Sequence, residues 1–225
     1  PMIAKSYGLQ GVFFITAIMA MVGILIVLTI VPVSYTQARS GEVTASSGKL
    51  VSMLFHPQLL RLDFGVMVLH MMMTSLFIAL PVLLAESGLN VDEHWQVYLP
   101  VLFLSFVFMV PMIIIAAKKS IEKNMFMIAI TLVGIASLLM ILTSSLWPLI
   151  LTVFIFFIGF NFLEASLPAH VSRLSPAGQK GSAMGVYSSS QFFGAFLGGI
   201  TGGYLVQQFG FSYLFGANAI LALLW

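Results

Sequence analysis

The chain has 225 residues, of which 60% are hydrophobic and only 7% charged. A soluble fold, which must hold a water-facing surface, has about 25% charged residues, so a soluble globular domain is excluded. The net charge of +2 is too small and too scattered for a nucleic-acid face, and the absence of cysteine rules out a disulfide framework and a thiolate metal site.

A helix that crosses about 30 Å of hydrocarbon needs roughly 20 mainly apolar residues. The stretches Leu9–Val33, Leu60–Leu84, Trp95–Ala117, Met125–Thr143, Pro148–Val171 and Ala183–Val206 meet that requirement, and a seventh begins near Phe211. Pro1 opens the chain with neither an initiator Met nor a signal-peptide pattern, and Trp225 falls inside an apolar run. A fragment of a longer protein is expected, with its seventh helix cut short. Residues 1–33 read as the last helix of a first bundle and 34–59 as a linker. Residues 60–225 read as a second bundle of six helices. The first part of the linker is rich in Ser, Thr and Gly, a flexible composition. Leu50–Phe55 is apolar and is expected to lie on the inner membrane surface before Pro57.

Sidedness follows from the cations, which concentrate on the cytosolic side of membrane proteins. With 34–59 placed inside and the helices alternating, the inner breaks hold Arg39, Lys49, Arg61, Lys118, Lys119, Lys123, Arg173 and Lys180. The outer breaks hold Glu86, Asp92 and Glu93, with Lys5 as their one cation. Eight of nine cations thus share one side. Trp95 and Trp147 each open a span on the outer side, where an amphipathic ring prefers the headgroup level. Asp92 is placed to cap the helix that follows. Pro81, Pro100 and Pro111 are expected to kink their helices. Together the spans predict an all-α, multi-pass membrane protein matching the middle and second half of a 6+6 transporter. In such folds each half holds two inverted three-helix repeats and substrate passes between the halves near the midplane.

Few polar groups fall inside the spans. Glu164 is expected to be the one carboxylate there, and ionised groups in lipid face protein or water. Asn161, Glu164 and Pro168 occur at i, i+3 and i+7, toward one side of their helix. Glu164 is either a proton site or gate-forming ion pair, or else a static polar contact. His70 lies nine residues past Arg61, roughly 14 Å along the axis and close to the midplane. Histidine titrates near physiological pH, so His70 is a proton or substrate contact or a neutral side chain bonded to a neighbouring helix. Met67, Met71, Met72 and Met73 surround it, and methionine suits an adaptable apolar cavity. Met71, Asn161, Tyr187 and Gln191 are the candidate cavity-lining residues. Gly194, Gly198 and Gly202 recur every four residues, the spacing that lets helix backbones approach closely. No catalytic group, cofactor or metal is expected. An enzyme would need convergent catalytic groups, and no His/Asp metal cluster or Ser/His arrangement is evident.

Three motifs then point to a family. Ser175-Pro-Ala-Gly-Gln-Lys-Gly-Ser-Ala-Met-Gly-Val-Tyr-Ser-Ser-Ser-Gln-Phe-Phe-Gly194 resembles the entry to helix 11 of major facilitator drug:proton antiporters. Phe160-Asn-Phe-Leu-Glu-Ala-Ser-Leu-Pro168 resembles their helix 10, and Arg61-Leu-Asp-Phe-Gly-Val-Met-Val-Leu-His70 their helix 7. The resemblance covers the whole chain and is strongest to the YajR-type branch. It implies a twelve-helix bundle in a bacterial inner membrane, with 34–59 cytosolic. It further implies proton-coupled export of a small molecule by alternating access, with the bilayer, protons, an undefined substrate and an N-terminal half as partners. The loop Ala117-Lys-Lys-Ser-Ile-Glu-Lys123 lacks the Gly and Asp of the superfamily's loop signature. A non-transporting receptor or scaffold of the same fold is the alternative.

Overall fold

In the computed structural model, residues 2–30 and 53–225 are described. The chain divides into two units, Pro1–Val43 and Thr44–Trp225. The segment 31–52 lies outside the described residues, and with it most of the expected linker, its flanking cations Arg39 and Lys49, and the start of the apolar stretch Leu50–Phe55.

The first unit contains α1, Met2–Thr29. Its backbone breaks at Gly8, where φ is +65° and ψ −171°. A side chain disfavours that conformation, and glycine reaches it without steric cost. The break sets the apolar stretch 10–29 apart as a run long enough to cross a membrane.

The described helices of the second unit are α2 (Pro57–Glu86), α3 (Trp95–Lys119), α4 (Glu122–Leu142), α5 (Leu146–Leu174), α6 (Lys180–Phe209) and α7 (Phe211–Leu224). Three of the boundaries have a clear local cause. Pro57 opens α2 at the position where a missing N–H costs nothing. Ser120, in the left-handed region at φ 53°, closes α3. Gly210, at φ 89°, separates α6 from α7. The cap position of α3 is His94 rather than Asp92, which sits in a 3-10 turn over Val91–Glu93. Helical backbone continues through Pro81, Pro100, Pro111 and Pro168 without interruption.

Among the described residues, five helical stretches are long and apolar enough to cross a membrane: 10–29, α2, 91–119, α4 and α5. α6 is as long as α2 but diluted by Gly, Ser, Gln and Tyr, and α7 is a shorter apolar helix. Part of that dilution, Gly194, Gly198 and Gly202, is covered by α2, as described below.

In so apolar a chain hydrophobicity does not choose the buried face. α2 and α5 bury 50% of their most apolar stretches, against 22% and 28% for α3 and α4. The centre of the unit is therefore α2 and α5, with Leu69, Met72, Leu76, Leu80, Phe156 and Leu163 fully enclosed. α2 packs along α6, and α5 along α3. Exchanging the first three helices for the last three maps one pairing onto the other, as an internal repeat requires. α3 turns Phe103, Phe106 and Val107 outward, which suits contact with lipid chains.

Alternation of these helices gathers Arg61, Lys118, Lys119, Lys123, Arg173 and Lys180 at one end of the unit and Glu86, Asp92 and Glu93 at the other. Single cysteines test that arrangement against a background free of native thiols. Ser175 is a poor probe, since its side chain is buried and donates to Val171 O, whereas Ala177 and Asn90 are exposed. Impermeant thiol reagents are expected to reach Ala177→Cys only from the cytosolic side and Asn90→Cys only from outside. Labelling of both from the same side would overturn the alternation.

Candidate functional site

The polar side chains that α2, α5 and α6 carry into their shared junction are His70, Glu164 and Gln191. His70 is 7% exposed, and its Nδ1 lies 3.1 Å from the carbonyl oxygen of Val66, one turn earlier on α2. A carbonyl can only accept, so Nδ1 carries the proton and Nε2 of the neutral ring presents a lone pair. Gln191 Nε2 approaches that lone pair at 2.8 Å and also donates to Glu164 Oε1 at 3.2 Å. Both amide hydrogens of Gln191 are thereby used. The other carboxylate oxygen, Glu164 Oε2, stands 3.6 Å from His70 Nε2 and is buried without a hydrogen-bond partner. Phe160, one turn before Glu164, meets the imidazole edge-on with ring centres 5.8 Å apart.

This arrangement couples proton position to amide orientation. With His70 neutral, Gln191 donates to both neighbours. A proton added at Nε2 turns that atom into a donor that faces the Gln191 N–H, so the amide must swing away. The imidazolium then pairs with Glu164 Oε2. The side chain of Glu164 is 37% exposed while that of His70 is 9% exposed, so the carboxylate links the surface to an enclosed ring.

The glycines set the register in which α6 presents Gln191 to His70. A Cβ at Gly194 would collide with the carbonyl of Met67, one at Gly198 with that of Met71, and one at Gly202 with Ser75 Cβ at 2.9 Å. The two helices therefore run parallel in near backbone contact. Met71 enters this interface through its main chain, with its side chain half-buried.

The other candidates are distributed differently. Tyr187, one turn before Gln191 on α6, is 3% exposed, and its hydroxyl has no hydrogen-bond partner. Asn161 lies outside the junction: its Nδ2 donates to Ser105 of α3 at 2.9 Å. Three residues along α5 turn Asn161 toward α3 and Glu164 toward α2 and α6. Arg173 pairs not with Glu164 but with Glu122 of α4 at 3.2 Å, and His170 joins the same carboxylate at 3.3 Å. A cavity of about 630 Å³ opens between α4 and α7, lined by Met127, Gly134, Gly216 and Trp225 among others, and none of the candidate residues lines it.

Two polar features were not among the candidates. Asp63 of α2 is a second carboxylate within a span; it is 4% exposed, and its Oδ1 has no partner. Its place seven residues before His70, two turns along one face, was the available signal. Asn218 of α7 donates to Ser75 at 2.9 Å and so ties α7 to α2.

Residues 62–225 match the Major Facilitator Superfamily. Over its full length the chain is 40% identical to the inner membrane transport protein YajR of Escherichia coli strain K12. An uncharacterized transporter of Buchnera aphidicola subsp. Acyrthosiphon pisum is 32% identical across 88% of the chain. Another, from Buchnera aphidicola subsp. Schizaphis graminum, is 32% identical across all of it. The chain covers 50%, 51% and 58% of these relatives, and so spans about half the length of the curated proteins it matches. A family match that takes in α2 to α7, joined to an all-helical bundle with a buried polar junction, leads to one conclusion: the chain belongs to the Major Facilitator Superfamily.

Proposed function

We propose that this chain supplies the sixth helix and the second six-helix half of a proton-coupled secondary transporter that exports a small molecule by alternating access. In this reading residues 1–33 end the first bundle, 34–59 form a cytosolic linker in a bacterial inner membrane, and 60–225 are the second bundle. The observation that carries the proposal is the His70–Gln191–Glu164 junction. A half-exposed carboxylate and a buried imidazole share one amide whose two hydrogens suit only the proton-free arrangement. Ionisable groups within membrane spans mark ion pathways and proton relays, and transporter sites lie at helix junctions near the midplane. The kinship with a protein named as an inner membrane transport protein supports the location. Met67 and Met71, half-buried near this junction, are offered as part of an adaptable wall toward the cargo.

The test is transport by the complete protein in liposomes. An imposed pH gradient is expected to drive accumulation of at least one member of a panel of lipophilic drugs, with matched proton movement. The chain 1–225 alone is expected to move neither, because the pathway lies between two halves. A complete protein that moves no panel member and no protons would be a receptor or scaffold instead.

A further inference from the structure

Among the described residues, the buried side-chain atoms without a hydrogen-bond partner are His56 Nδ1, Asp63 Oδ1, Glu164 Oε2, Gln179 Oε1 and Tyr187 Oη. Buried polar groups are nearly always bonded, and these exceptions are not scattered. His56 and Asp63 belong to the start of α2, Gln179 and Tyr187 to the start of α6, and Glu164 to the stretch of α5 beside them. α2 and α6 run parallel, so their early turns lie at one level, at the end that carries Arg61 and Lys180. Asp63 stands two turns before His70, roughly 10 Å along the axis. Tyr187 stands one turn before Gln191, on the helix that faces α2. The carboxylates of Glu164 and Asp63 both lie within electrostatic reach of the Tyr187 phenol. The partnerless atoms thus gather where α2, α5 and α6 meet, between the cation-rich end and the His70–Gln191–Glu164 junction.

We propose that Asp63 and Tyr187 form a proton relay between the cytosolic end of the bundle and Glu164. The proposal rests on the reading of Glu164 as the proton site. Buried polar atoms left unmatched by protein are positions where bound water bridges groups. When Glu164 is loaded from the cytosolic end, the Asp63 carboxyl group releases its proton through such water to the Tyr187 oxygen, and discharge to the cytosol is the reverse. The phenol O–H bond breaks as its own proton passes to Glu164 Oε2. Tyr187 ends as a neutral phenol, Asp63 as a carboxylate and Glu164 as a carboxylic acid, so one proton has moved and no other charge has changed. The other charged and titratable groups around this cluster are His56, Arg61 and His70 on α2, His170 and Arg173 on α5, both already engaged by Glu122 of α4, and Lys180 on α6. Beside this cluster the Trp225 ring lies against Gly65 of α2. Neither Asp63 nor Tyr187 makes a bond that would hold the fold together, which leaves their polarity without a structural reason.

The relay is tested by rapid acidification of the complete transporter, with the carboxylic-acid infrared band of Glu164 followed in time and assigned by its loss in Glu164→Gln. Asp63→Asn and Tyr187→Phe are close in shape to the native residues and are expected to keep the full amplitude of that band. Its rise is expected to slow by about 10²-fold, a typical effect of removing a positioned proton carrier. Asp63→Glu is expected to restore most of the rate. Loss of amplitude with an unchanged rate in both variants would mean a purely structural role and overturn the relay. A band that rises at the native rate in both variants would overturn it while leaving Glu164 as the proton site. Absence of the band in the unmodified protein would overturn the proton-site reading, and the relay with it.

Discussion

Gly198→Leu is expected to prevent the six-helix unit from reaching its native packing. At this position the first added carbon already overlaps Met71, with its carbonyl carbon and Cα both 2.8 Å away. These are backbone atoms and cannot rotate aside as the end of a side chain would. Overpacking a close-packed core costs about 1–3 kcal/mol where side chains can adjust, and here α2 and α6 must separate along their whole contact. Separation also removes Gln191 from His70, so function is lost even where some protein survives. Neighbouring positions provide controls within the same helix. A Cβ at Gly203 meets nothing within 4 Å, and Ile200 is 55% exposed on the outer face. Gly203→Ala and Ile200→Val are expected to give native yields of monodisperse protein and native thermal stability in detergent, while Gly198→Leu gives little folded material. Equal stability of all three would show that α2 and α6 do not approach as closely as described.

Glu164→Gln is expected to leave the fold intact and abolish proton uptake. The replacement amide has the same size, and its oxygen can still accept from Gln191 Nε2 as Glu164 Oε1 does at 3.2 Å. Its NH₂ replaces Glu164 Oε2, which has no hydrogen-bond partner in the native protein, so no bond is lost there. Hydrogen bonding is therefore largely preserved, and what disappears is the capacity to hold a proton or to balance an imidazolium. Proton release and uptake by the purified complete protein, read with a pH indicator in weak buffer, are expected to fall to background. Transport driven by a pH gradient is expected to stop with them. Unchanged proton uptake and an unchanged pH profile would reduce Glu164 to a packing contact. Failure of the variant to accumulate as folded protein would instead mark the carboxylate as a structural partner of His70 and Gln191.

How far each of these features was legible in the sequence depends on the range of the interaction. Spans are local: run length and the near absence of charge locate α2 to α5 to within a few residues of their observed ends, because a bilayer demands continuous apolar helix. The grouping of cations is also local in chain order once helices alternate. The glycine spacing on α6 shows that some backbone comes close, and the tertiary structure identifies it as that of Met67, Met71 and Ser75 on α2.

Pairing of polar groups between helices was beyond the sequence, because in an almost uniformly apolar chain hydrophobic periodicity does not tell a lipid-facing side from a buried one. Helical spacing places Asn161 near Glu164, yet a turn of three residues sends one to Ser105 and the other to Gln191. Arg173 and Glu164 share a helix, but the arginine closes on Glu122, which only the packing of α4 against α5 brings within reach. Asp63 stands in the sequence two residues from Arg61, and their proximity along the chain conceals that Asp63 points inward while Arg61 is exposed. The sequence by itself determined a membrane-spanning helical chain, and it supplied an expected sidedness and part of the set of polar residues in the spans. Only the tertiary structure decided which of them meet, because each meeting joins residues far apart in the chain across a helix interface whose rotation is fixed by close packing.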